Sequence, residues 1–143
     1  MDKLEFGGPA WTDALHTTIE RAWLAARAAA DIAPFSVSER YIDPPAHLVP
    51  AAGELGWHCF CEGDKVTWVD GPSDSVDLCI ETDYASVLPL ARLVYGDDLQ
   101  AQAERDHLMG TLVKEGKLRV TGDISKRPDF LEGVHDEMAR ITA

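Results

Sequence analysis

The sequence predicts an α+β fold: an antiparallel-rich sheet of about five strands with helices packed mainly on one face. Three observations carry this. In residues 76–82, Val76, Leu78, Ile80 and Thr82 share one face while Asp77, Cys79 and Glu81 share the other, the period-two pattern of a half-buried strand. Residues 57–61 and 65–69 flank Glu62-Gly63-Asp64, a turn rich in residues that tolerate positive φ, and so read as a hairpin. Phe130, Val134, Met138 and Ile141 recur at helical spacing near the C-terminus.

The 143 residues suit a single domain, 1–143, with one continuous core. The first helix is predicted over 12–30, with Thr12 as its cap and Leu15, Ile19, Trp23 and Ala26 at helical spacing. Residues 35–56 admit more than one reading. Phe35, Val37, Glu39 and Tyr41 alternate with Ser36, Ser38, Arg40 and Ile42 as a short strand would, before Asp43-Pro44-Pro45 forces an extended or turning backbone. The segment can equally be an extra arm or a dimer contact. The hairpin follows, and the turn Asp70-Gly71-Pro72-Ser73 leads to the strand at Val76. Short connections predict an antiparallel meander of three strands.

Thr82 or Asp83 can cap the next helix. Pro89 predicts a kink or break after Ser86. Beyond it, residues 90–95 are strongly apolar and stop at Gly96. Another helix is predicted over 99–115, with Leu108, Met109, Leu112 and Val113 on one side and weakened at Gly110 by roughly 1 kcal/mol relative to alanine. Residues 116–123, Gly-Lys-Leu-Arg-Val-Thr-Gly-Asp, form a short strand bounded by glycines, with Leu118 and Val120 facing the core. The final helix begins near Pro128.

The passage DLCIETDYASVLPL, a second helical segment, the run GKLRVTGD and a closing helix resemble, in that order, the sterol-carrier-protein domain family. GKLRVTGD is similar to that family's GKLKVKGD signature. The resemblance covers Gly56 to the C-terminus. It implies a sterol-carrier-protein-like fold that carries sterols, lipids or fatty acyl chains in an apolar tunnel between sheet and helices.

The formal net charge of −12 excludes a basic footprint for nucleic acid. It also opposes stable adsorption to anionic membranes, the only basic candidates being Lys126-Arg127 and the scattered Lys114, Lys117 and Arg119. No segment reads as a signal peptide or membrane span, the last residues lack a Ser-Lys-Leu address, and three cysteines suit a reducing compartment, so the cytoplasm is the expected location. Cys59 and Cys61 lie on the strand face opposite His58, which predicts inert buried thiols rather than a metal site. GxSxG, GxGxxG, P-loop and HExxH patterns are absent, so neither a cofactor nor a catalytic residue is expected.

The expected ligand-binding residues are Trp68, Leu108, Met109, Leu112, Val113, Phe130, Val134, His135 and Met138, with His135 placed to orient a polar group of the ligand. The expected function is non-covalent binding or carrying of an apolar small molecule: a sterol, steroid intermediate, fatty acid or fatty acyl thioester. Two alternatives stand beside it. One is an enzyme or accessory subunit of steroid or acyl-thioester catabolism that uses the same cavity. The other is a protein-interaction module with a solid core, which a homodimer through residues 35–56 would exemplify.

Overall fold

A computed structural model describes residues 2–51 and 53–143. Helix α1 (Pro9–Ala29) is followed by β1 (Phe35–Ile42), then the hairpin β2 (Gly56–Glu62) and β3 (Lys65–Asp70). Strand β4 (Leu78–Asp83) leads into α2 (Tyr84–Ala91) and α3 (Leu99–Lys114), and the chain closes with β5 (Leu118–Gly122) and α4 (Phe130–Ile141). The five strands form one mixed sheet in the order β3-β2-β1-β4-β5.

The antiparallel meander is corrected. The hairpin β2–β3 adds to one side of β1, and β4 returns to the other side of β1, parallel to it. A cross-strand lock holds this crossover: Asp77 Oδ2 accepts from the Ser36 N–H at 2.9 Å and from Ser36 Oγ at 3.1 Å, while the Asp77 N–H donates to Ser36 Oγ at 2.8 Å. Those bonds hold Asp77 just outside the ladder, and β4 starts at Leu78. Within residues 35–56, Phe35–Ile42 form the strand that the alternation allowed, and this β1 is the middle strand, with ladders on both sides.

One sheet face is apolar. Phe35, Val37, Tyr41, Trp57, Cys59, Cys61, Val66, Leu78 and Leu118 are buried there against Leu15, Ile19 and Trp23 of α1 and Val134 and Met138 of α4. The opposite face is charged: Arg40 approaches Glu54, Asp74 and Glu81 within 3.0–3.4 Å, and Glu81 also pairs with Arg119 at 3.0 Å. The three cysteines are free and buried.

Two helix boundaries differ from those predicted. Helix α1 begins at Pro9 with Gly8 at the cap, not Thr12, because proline presets the first-turn φ and lacks the N–H that would go unpaired there. Helix α2 runs through Pro89 without breaking after Ser86 and ends at Ala91, so the proline deletes a bond in the last turn of a short helix. Residues 92–95 are not helical. Asp83 caps α2, accepting from the Ser86 N–H at 3.0 Å.

The chain ends are tied together. Leu4 N–H donates to the Ile141 carbonyl at 2.7 Å, the Trp11 indole donates to Thr142 Oγ1 at 3.0 Å, and Tyr84 Oη donates to the Phe6 carbonyl at 2.5 Å. Among the described residues, no helix is long and apolar enough to cross a membrane.

Candidate functional site

A cavity of about 540 Å³ lies between the sheet and the helices. Its floor is the inward row of the sheet: Val37, Glu39 and Tyr41 from β1, Trp57 from β2, Leu78, Ile80 and Thr82 from β4, and Leu118 and Val120 from β5. Alternation along each strand sends these side chains to one face. Leu15 and Ile19 of α1, Val87 and Leu90 of α2, Met109 of α3, and Leu131, Val134 and Met138 of α4 form the helical wall. The volume falls within the ~300–1,000 Å³ typical of small-molecule pockets, and the lining is mostly aliphatic and aromatic.

Of the residues expected to hold a ligand, Met109, Val134, His135 and Met138 border this cavity. Trp68, Leu108, Leu112, Val113 and Phe130 do not. Trp68 stacks between Trp57 and His16, with ring centroids 4.8 and 4.9 Å away. Phe130 meets Trp23 edge-on. Leu112 is packed in the core beyond the cavity, and Leu108 packs against that core. Val113, 56% exposed, borders a different hollow of about 730 Å³ beside β5, where Glu81, Asp83, Lys117 and Arg119 mix with apolar side chains. Helical spacing alone assigned α3 a wider apolar face than it buries.

Polar groups stand at two places. On the solvent side, Arg105 and Asp106 of α3 meet Arg127 and Glu132. Arg127 pairs with Glu132 at 2.9 Å, Arg105 with Asp106 at 3.0 Å, and the Arg105 guanidinium lies 4.5 Å over the Tyr95 ring. Tyr95 Oη donates to the second Glu132 oxygen. Burial and that carboxylate push the Tyr95 hydroxyl up to about 12. Burial alone would raise Glu132, but the Tyr95 hydroxyl, Arg127 and Arg105 outweigh it and hold the carboxyl below its ordinary range. His135 stacks on Tyr95, and its Nε2 donates to the Leu93 carbonyl at 3.0 Å. Burial drives its pKa down despite that bond, which favours the neutral ring.

The second polar place is deep in the floor. Glu39 points to the apolar face, between Val37 and Tyr41 on the same strand. Its Oε1 accepts from Tyr41 Oη at 2.6 Å, and Tyr41 Oη accepts from the Trp57 indole at 2.8 Å. Burial pushes the Glu39 carboxyl up, opposed by Tyr41, Trp57 and the charge of Arg127 across the cavity. Burial beside Glu39 likewise raises the Tyr41 hydroxyl well above its ordinary value. Glu39 was absent from the expected site residues. Its signal was the alternation of 35–41 itself, which puts a lone carboxylate in an otherwise apolar row.

No protein-family model matches the chain, and no curated protein does. Solved structures do. A crystal structure described as sterol carrier protein 2 aligns over 97% of this chain and 100% of its own, at 18% identity and a TM-score of 0.50. A structure described as the UbiJ-SCP2 ubiquinone synthesis protein covers 91% of this chain and 96% of its own, at 17% identity and a TM-score of 0.48. A Thermus thermophilus protein described as possibly a sterol carrier protein covers 96% of this chain and 92% of its own, at 18% identity and a TM-score of 0.45. With its five-stranded mixed sheet under four helices, the chain has the sterol-carrier-protein fold.

Proposed function

We propose that the protein binds an apolar small molecule non-covalently, a lipid or sterol-like compound, in the cavity between sheet and helices. The carrying observation is the cavity itself: about 540 Å³ walled by aliphatic and aromatic side chains where a solid core would stand. Cavities of this kind are costly to keep empty, so a fold that holds one open has a use for it. Binding needs no catalytic group. Each methylene moved from water into the wall contributes ~0.8 kcal/mol, so about ten methylenes supply the ~8 kcal/mol of micromolar affinity on that term. The shared fold with a structure described as sterol carrier protein 2 supports the same reading.

Two measurements test it. Native mass spectrometry of freshly purified protein should show an adduct of lipid mass that organic extraction removes. Nile red, a neutral apolar dye, should bind the extracted protein with a blue-shifted emission and be displaced by long-chain alkyl compounds. Absence of both the adduct and the dye binding would overturn the reading.

A further inference from the structure

Among the described residues, the Glu39 carboxyl is the one charged group of the cavity floor, and its place there is built rather than accidental. Tyr41 and Trp57 hold it through a two-step relay, Trp57 to Tyr41 at 2.8 Å and Tyr41 to Glu39 Oε1 at 2.6 Å. That relay uses one carboxyl oxygen. Oε2 lies outside that relay. Glu39 is only partly buried, so the relay fixes the carboxyl while its other oxygen stays available to a ligand.

The neighbouring strand adds a polar group without a partner. Tyr41 pairs with Thr82 in the β1–β4 register, one inward position beyond Glu39 and Ile80. Thr82 is 3% exposed, borders the cavity, and its Oγ1 has no hydrogen-bond partner among the described residues. The floor therefore has a polar corner in an apolar surround, suited to a small uncharged head.

We propose that Glu39 is a polar anchor that selects alkyl ligands ending in a neutral hydroxyl over the same chain ending in a carboxylate. This deepens the carrier reading and rests on it. A hydroxyl can donate to Oε2 when Glu39 is ionised and accept from it when Glu39 is protonated. A carboxylate brought to the same corner places two like charges together. The solvent side offers it no refuge, because Arg105 and Arg127 are already matched by Asp106 and Glu132.

Displacement of Nile red from the full chain by dodecan-1-ol and by dodecanoate, at one fixed pH near neutral, measures a selectivity ratio that factors out the dye. The two ligands differ in partitioning from water, so the decisive quantity is how the ratio changes on substitution. Glu39→Gln should lower the alcohol-to-acid ratio by about tenfold, chiefly by improving dodecanoate. Glu39→Leu should lower it at least as far, because leucine removes the same charge and also the hydrogen-bond partner of dodecanol. Circular dichroism melts check that each variant is folded, and Glu39→Gln keeps the test alive if the leucine variant is not. A ratio unchanged in a folded variant, with both ligands still displacing the dye, overturns the anchor and leaves the carrier reading standing. No dye binding to the parent protein overturns both.

Discussion

Above the ordinary carboxylate range, Glu39 costs the fold what a neutral isostere would not. Burial raises its folded-state pKa above the unfolded value near 4.5. The folded state therefore holds its proton more tightly. Any stability from that proton is complete below the unfolded value and is lost as pH rises through the folded value. Glutamine keeps an oxygen for the Tyr41 hydroxyl and carries no charge. Glu39→Gln should therefore melt higher than the parent at pH 8, and the gap should shrink toward pH 4. Thermal melts of both proteins across that range check it, and a gap that grows on acidification would show the carboxyl to be stabilised by its partners instead. His135 has the opposite slope: its lowered pKa gives stability that is complete above the unfolded value and lost as pH falls through the folded one. Comparing variant with parent at each pH removes that contribution. At this scale the sequence was partly legible. Alternation placed Glu39 on the Phe35, Val37 and Tyr41 face, but no pattern announces that the face borders a void rather than packed side chains.

Single glycines decide whether neighbouring elements can close on one another. Gly122 ends β5 at φ +110°, and a Cβ there would lie 2.1 Å from the Asp77 carbonyl oxygen. That oxygen belongs to the residue that locks β4 to β1, so the clash cannot be relieved by a flexible side chain. Gly122→Ala should cost ~2 kcal/mol or more. Gly110 is the contrast, in the interior of α3 with nothing within 4 Å of where a Cβ would stand, and Gly110→Ala should stabilise by ~0.5–1 kcal/mol. Urea melts of the two variants should shift in opposite directions, and equal shifts would mean that the tight approach of β5 to Asp77 is not maintained in solution. Elements were the most legible level. The strand β5, the hairpin turn and the Asp83 cap follow from local chemistry, whereas the start of α1 depended on Pro9 outranking Thr12 and the end of α2 on a proline sited too late to break it.

The crossover was the least legible feature, because it depends on which strand β4 meets and not on what β4 is. Period-two alternation gives a strand two edges and two faces without naming its neighbour. The choice of β1 over β3 is made by the Ser36–Asp77 lock, between residues 41 positions apart. That choice centres β1 and so brings Glu39, Ile80 and Val120 into one floor. The cavity is thus a property of the whole molecule, and helix α3 offers a direct test of it. Met109 borders the cavity and is half-buried, while Leu112, three residues on, is 6% exposed and packed in the core outside the cavity. Filling a void with a larger side chain costs little, whereas overpacking a filled core typically costs ~1–3 kcal/mol. Met109→Trp should therefore melt close to the parent and lose Nile red binding. Leu112→Trp should lose ~1–3 kcal/mol and, where still folded, keep the dye. If Met109→Trp destabilises as much as Leu112→Trp while the parent binds no dye, the space between sheet and helices is filled in solution and the carrier reading fails with it.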